Sequence, residues 1–386
     1  MKGLLSLTAA CGIAVACCAA ALAEGVDELP PDVAKAYQGL DQQQPQGPSA
    51  YRDWKAKKNP PWTVGYASSY AGNSWRAAAM NRLLNVIEPM YKKAGMLREV
   101  IITQSDLKDA VQIQQMRQLV DQGVDAIVVC CSNITALNQT VEYAYSKGVP
   151  TFSWSGYITS PKAISAAANY TGGGYQIAKS LFNRIGGQGN VLLVTGIPGL
   201  ASSDSFDNGV NKALKETPGI KLVGTVAGKW TDQIAQVEVQ KFLATHPEKI
   251  DAFLVQSPAE TGVLKALLQS GRPIVPITLA GEEGTLCYWK AHPEWMKEGY
   301  YMWPPGDEFQ LSFDVLIRTL QGQGPKVQSI VRQVLPFTLA DIGAKVPANC
   351  STDSTEWIEP DADKWFPESL ANQFFLHPHD PLTWKP

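Results

Sequence analysis

The chain has 386 residues, 45% of them hydrophobic and 18% charged, the balance of an ordinary globular protein and enough chain for two cores rather than one. Its formal net charge of −3 excludes the basic face that nucleic acid binding requires. At the start, Lys2, the uncharged run Leu4 to Leu22 and the small-residue site Ala21-Leu22-Ala23 have the build of a secretory signal peptide over residues 1–23. Cleavage before Glu24 leaves a mature chain of about 360 residues in an oxidising, aqueous compartment. The apolar run is at the short end for a spanning helix and polar sequence follows at once, and nothing after Leu22 is long and apolar enough to cross a bilayer. Neither Cys17 nor Cys18 follows a Leu-x-small pattern, so a free form is expected rather than a lipid-anchored one.

Residues 24–60 are polar, rich in Gln and Pro, and without a sustained period, which predicts a leader or linker. From Pro61 a regular alternation sets in. Thr63 to Ala67 reads as a strand, Trp75 to Ala94 as a helix, Glu99 to Thr103 as a strand and Asp109 to Gln122 as a helix. The strand Asp125 to Cys130, the helix Thr135 to Ser146 and the strand Pro150 to Trp154 follow. A second series begins with a helix Tyr175 to Ile185, a strand Asn190 to Thr195, a helix Ser205 to Glu216 and a strand Lys221 to Val226. It continues with the helix Gln233 to Ala244, the strand Ala252 to Val255, the helix Thr261 to Gln269 and the strand Ile274 to Leu279. Alternation of this kind implies right-handed β-α-β crossovers and parallel sheets covered on both faces.

Ligands of open α/β sheets bind beyond the carboxyl ends of the strands. The corresponding turns, Ser68 to Trp75, Cys131 to Asn133, Ser155-Gly156, Gly196 to Phe206, Trp230 to Asp232, Gln256 to Glu260 and Gly281 to Glu283, are at once polar and aromatic. No Gly-x-Gly-x-x-Gly follows the first strand and no phosphate-loop Gly-Lys-Ser/Thr occurs, so nucleotide chemistry and a nucleotide cofactor have no support. A catalytic elbow Gly-x-Ser-x-Gly and metal-ligand spacings are also missing from the sequence. Glu282-Glu283 and Asp204 with Asp207 read as solvated loop acids or ligand acceptors rather than as paired catalytic carboxylates.

Four cysteines remain after cleavage. Cys130 and Cys131 end an apolar strand whose neighbouring side chains point to opposite faces, so they read as small buried residues, which leaves Cys287 to pair with Cys350. His377-Pro378-His379 reads as surface loop, with no metal site.

Ordered local motifs give a resemblance over about Trp62 to Leu339. They are Gly72-Asn73-Ser74-Trp75, then Leu119-Val120-Asp121-Gln122-Gly123-Val124-Asp125-Ala126-Ile127-Val128-Val129, then Gly148-Val149-Pro150-Thr151-Phe152. Gly196-Ile197-Pro198-Gly199 with Phe206-Asp207-Asn208-Gly209, and Asp251-Ala252-Phe253-Leu254-Val255-Gln256, complete the set. In their order and spacing the chain resembles the type I periplasmic substrate-binding proteins of the ribose and autoinducer group, the receptors of bacterial ABC importers. That resemblance implies two Rossmann-like lobes with parallel sheets, joined by three crossovers near Asn169 to Thr171, Trp303 to Gly306 and Leu335 to Leu339. The first lobe would comprise residues 61–170 with 304–337. The second would comprise 171–303 with 338–386, including a C-terminal extension whose aromatic end, Trp357 to Trp384, is expected over the second lobe.

The resemblance puts Ser68, Asn73, Trp75, Ser132, Asn133 and Ser155 on the first wall of a ligand cleft, and Asp204, Phe206, Trp230, Gln256, Ser257, Gly281, Glu282 and Trp303 on the second. Trp154 lies within its strand, where alternation turns it into the core, and Trp289, Trp295, Trp357 and Trp365 read as structural. Sugar binders of the group carry an acid where Ser155 stands, an arginine near Phe206 and an Asp where Gly281-Glu282 lies, and all three differ here. The expected cleft is therefore tryptophan-rich and mildly acidic, suited to a sugar derivative or polyol, or to a cationic solute held by indole faces. The implied function is that of a monomeric periplasmic receptor without catalysis, serving an ABC permease in the inner membrane or a chemosensory partner. A repressor of the same fold is excluded by the export signal and by the lack of an N-terminal helix-turn-helix.

Overall fold

The computed structural model describes residues 25–130 and 133–385, so the expected signal segment, Cys131 and Ser132 lie outside the described residues. The chain forms β1 (Trp62–Ser68), β2 (Leu97–Gln104), β3 (Ala126–Val129), β4 (Thr151–Trp154) and β5 (Ala163–Ala166). It then forms β6 (Gly189–Thr195), β7 (Ile220–Ala227), β8 (Ala252–Val255), β9 (Gly299–Tyr301), β10 (Ser329–Ile330) and β11 (Leu335–Phe337). The first lobe is a parallel sheet in the order β10-β5-β4-β3-β1-β2, and the second a parallel sheet in the order β7-β6-β8. β3, β4 and β8 are buried along their whole length, as continuous apolar strands covered by helices on both faces must be.

Three segments carry the chain between the lobes: from β5 into the helix Tyr170–Arg184, from β9 into the helix Pro305–Leu320, and from β10 to β11, which pairs antiparallel with β9. This is the two-lobed, three-crossover architecture that the resemblance implies.

The helices depart from expectation where packing overrides local preference. The first runs as Ser74–Arg82, a π turn Leu83–Ile87 and Glu88–Lys93, the wider turn accommodating Pro89, which has no N–H to give. The helix Tyr170–Arg184 starts before the expected Tyr175 and passes straight through Gly172-Gly173-Gly174. A Cβ on Gly174 would stand 2.3 Å from the Phe206 carbonyl oxygen, and one on Gly209 would stand 2.1 Å from that of Thr171. The glycines therefore let this helix and Ala201–Lys215 pack backbone on backbone.

The expected strand Ile274 to Leu279 is reduced to a single bridge, Ile277 with Phe253, flanked by bonds from the Phe253 N–H to Pro276 O and from the Thr278 N–H to Phe253 O. Pro273 and Pro276 have no N–H for a regular ladder.

Both terminal segments correct the domain expectation. Residues 25–60 are not a free linker: Leu29, Val33, Tyr37 and Tyr51 are buried, and Pro48 bridges Val327 beside β10. Asn169 donates to the carbonyls of Ala36 and Gln38, fixing the segment to the first crossover. The C-terminal extension covers both lobes rather than the second alone. Trp357 bridges Glu282 of the second lobe. Glu359 then pairs with Arg82 at 2.9 Å, and Trp384 meets Trp62 edge-on at 5.6 Å in the first. Cys287 and Cys350 are joined by a disulfide with Cα atoms 5.9 Å apart, and Cys130 is a free, buried thiol.

Candidate functional site

At the carboxyl ends of both sheets the lobes face each other across a cleft lined from both sides. Its first wall is set by the helix Ser74–Arg82, which Asn73 caps by accepting from the Arg76 N–H at 2.9 Å. Trp75, on the first turn, stacks on Trp154 at 5.0 Å and 16°, and Trp154 stacks in turn on Phe309 at 4.1 Å and 10°. The expectation that Trp154 faces the core holds, and its core position makes it the backing of the Trp75 platform. Ser155, just beyond β4, has φ +51°, a left-handed conformation that strains a non-glycine residue and turns the chain across the cleft floor.

The second wall centres on Trp230, itself at φ +55° after Lys229 at φ +53°. Its indole lies so close over Gly196 that a Cβ there would meet Cε2 at 2.2 Å, and its Nε1 donates to Gln256 Oε1 at 3.2 Å. Gln256 in turn donates through Nε2 to Asp207 Oδ1 at 2.7 Å, to Ser203 O at 3.1 Å and to Thr195 Oγ1 at 3.2 Å. Its amide is thus committed to holding the wall. Ser257 and the second crossover add the rest, with Trp303 stacked on Tyr170 at 5.1 Å.

Direct hydrogen bonds tie the two walls. Asn73 Nδ2 donates to Trp230 O at 3.3 Å, Trp75 Nε1 to Trp303 O at 2.7 Å, and Ser74 Oγ to Glu282 Oε1 at 2.6 Å. One short run, Asn73 to Trp75, therefore registers the first lobe against three points of the second.

A family model described as a periplasmic binding protein domain matches residues 64–324. The chain belongs to the periplasmic binding protein family. It is similar to the xylitol-binding protein of Mycolicibacterium smegmatis, 27% identical over 189 residues, which are 48% of this chain and 54% of that one. The chain thus spans about half the length of that relative. It is 24% identical over 227 residues to the ribose import binding protein of Bacillus subtilis, covering 58% of this chain and 72% of that one. Among solved structures, an ABC transporter solute binding protein from Thermobispora bispora superposes with a TM-score of 0.68 at 22% identity, over 81% of this chain and 94% of that one. Another from Mycobacterium smegmatis, with bound glycerol, gives 0.66 at 15% identity over 78% and 100%. These structural likenesses share the fold.

In this periplasmic binding protein the cleft gathers Asn73, Trp75, Ser155, Trp230, Gln256, Ser257 and Trp303 from the expected set. Ser132 lies outside the described residues, and the other members of the set lie elsewhere. Ser68 is the last residue of β1 and bonds back to Tyr70 O, so its neighbours Ser69 and Tyr70 reach the cleft instead. Asn133 spends its side-chain oxygen on the turn through Thr135 and Ala136, and its amide on Asp109, at the outer mouth. Asp204 is exposed at the same mouth and accepts from Gly199 N–H. Phe206 is buried edge-on behind Trp303. Gly281 is covered by the C-terminal extension, whose Ile358 N–H donates to its carbonyl at 2.8 Å. Glu282 is buried beneath the Ser74 tie, where burial and the nearby Asp232 and Glu260 hold its carboxyl protonated far above the usual range.

Sequence reasoning passed over Ser69, Tyr70, Arg76, Tyr157 and Tyr170, all of which line the cleft. Arg76 changes its character. Its guanidinium carbon lies 4.9 Å from the ring centres of both Trp75 and Trp154. With Asp204 and Glu282 elsewhere, the expected mildly acidic cleft is instead one with a cation at its floor. The signal for Arg76 was its place next to Trp75 on the first helical turn. Glu308, in the first turn of Pro305–Leu320, is buried close by, and burial pushes its carboxyl up to about 8 against the opposing pull of Arg76 and the Ser155 backbone. Among the described residues no group of His, Cys, Asp and Glu has the makings of a metal site, and no helix is long and apolar enough to cross a membrane.

Proposed function

We propose that this chain is an exported solute receptor of an ABC importer. It captures a small polyhydroxylated solute, a sugar, polyol or sugar derivative, between its lobes and delivers it unchanged to a membrane permease. The cleft carries this reading. Flat faces of Trp75, Tyr170, Trp230 and Trp303 suit the apolar face of a carbon ring or chain, while Asn73, Arg76, Ser155 and Ser257 offer donors and acceptors to hydroxyls. Relatives named for xylitol and ribose support the same class of solute. Ties between the walls run through residues that also line the cleft, so a ligand there would bias lobe closure, the population shift a permease reads. A cationic solute is disfavoured by the charge of Arg76.

A thermal-shift screen of the mature chain tests the proposal against pentoses, hexoses, polyols, sugar acids, amino acids and quaternary amines. A member of the first four classes at a hundredfold over its Kd should add about 2.7 kcal/mol to the folded state. Stabilisation by amino acids or amines alone, or by nothing in the panel, refutes it.

A further inference from the structure

We infer that the solute carries a carboxylate and that Arg76 is the residue that recognises it, a refinement that rests on the receptor reading above. Arg76 is permanently charged, and its Nη1 is buried with no hydrogen-bond partner of ordinary geometry, only the weakly accepting Cys130 thiol lying beside the guanidinium. Burying a cation is costly unless an anion or an acceptor compensates it, and the indole faces of Trp75 and Trp154 do so only in part.

The acids facing Arg76 do not supply that anion. They are Tyr66, Cys130, Tyr170 and Glu308. Burial pushes the Tyr66 phenol up to about 12, the Tyr170 phenol well above its usual range, and the Cys130 thiol upward, so all three are neutral at pH 7. Glu308, pushed up to about 8 by burial, stays mainly protonated at that pH. Neither of its oxygens makes a hydrogen bond of ordinary geometry. A guanidinium with an unpaired donor at the cleft, a floor of neutral acids and an aromatic frame around it is matched by a carboxylate on a short polyhydroxylated chain, which takes the guanidinium fork in two parallel bonds. An aldonate or a uronate has this chemistry.

Glu308 makes the match dependent on pH. Once it ionises it competes for Arg76, so the preference for an acid should fade as pH rises past 8.

Calorimetric titration of the mature chain with matched pairs tests the inference: D-galacturonate against D-galactose, D-gluconate against D-sorbitol, and D-xylonate against xylitol. At pH 7 an acid should bind at least tenfold more tightly than its neutral counterpart. Arg76→Gln should reduce that preference to within about twofold, while Arg76→Lys, which keeps the charge, should retain part of it. Melting of each variant without solute reports that it folds. Glu308→Gln should keep the preference at pH 7 and hold it at pH 9, where the parent chain loses it. Tighter binding of the neutral member, or a preference that survives in a folded Arg76→Gln, overturns the inference and leaves the receptor reading intact. Binding of no member of any pair overturns both.

Discussion

Substituting Gly196 by Ala perturbs the cleft without removing any group that lines it. The added Cβ would meet the Trp230 ring at 2.2 Å from Cε2, 2.4 Å from Nε1 and 2.6 Å from Cζ2. Carbon atoms in contact rest at about 3.5 Å or more, so the indole must retreat by more than about 1 Å. Its bond to Gln256 Oε1, at 3.2 Å already near the long limit, is then lost. The lost hydrogen bond costs the fold about 1 kcal/mol, and the displaced aromatic platform costs binding about 0.5–1.5 kcal/mol. The latter corresponds to a roughly twofold to twelvefold rise in Kd. Calorimetric titration with whichever panel solute stabilises the parent chain most reads that change, and near-ultraviolet circular dichroism reports the moved indole. A folded Gly196→Ala protein with the parent Kd and an unchanged aromatic spectrum would refute the placement of Trp230 on the wall.

Asn73→Ala removes both a helix cap and a tie to Trp230 O. It should cost about 1 kcal/mol in urea unfolding and also weaken solute binding, whereas a cap alone would leave binding untouched. Replacing Cys287 and Cys350 by Ser opens a cross-link between residues 63 apart. The melt under non-reducing conditions should show a loss of up to about 4 kcal/mol, and an unchanged melt would deny the link a role. Glu260 and Glu308 are raised to about 7 and about 8 by burial, so the fold holds protons there that the unfolded chain, with ordinary carboxyls, has released. Their contribution is complete below about pH 4.5 and is lost as pH rises through 7 and 8, so melting temperature should fall from pH 5 to pH 9. Glu308→Gln should flatten that fall, and a melting temperature that rises over the range would contradict the burial of both groups. Deleting residues 25–60 should lower the melting temperature, since it strips Tyr37 and Tyr51 from the first lobe. An unchanged melt would restore the linker reading.

The alternation of short β-branched runs with helical segments made the two sheets legible, because strands buried on both faces carry a continuous apolar signal. β5, with the sequence Ala-Ile-Ser-Ala, is too short and too weakly apolar to stand out. Residues 25–60 show no period because they cling to the first lobe through single anchors such as Tyr37 and Tyr51, not through a repeating face. Strand ends located the cleft to within one or two residues, and that margin decided the side chains: Ser69 and Tyr70 replace Ser68, and Tyr157 lies two residues past Ser155. Arg76 carries no signature of its own in the sequence, because a single arginine on the first turn of a helix is ordinarily a solvated one. The resemblance implies ligand positions at Gly281 and Glu282, and only the fold reveals that Ile358 and Trp357, distant in sequence, lie across them.

Closure around an unaltered solute is the central claim, and small-angle scattering of the mature chain tests it most directly. Addition of the stabilising solute should reduce the radius of gyration in a saturable manner, with the midpoint at the calorimetric Kd, and removal of the solute by dialysis should restore it. A radius that does not change at saturating solute, or a change that decays with time as the solute is consumed, would contradict the account.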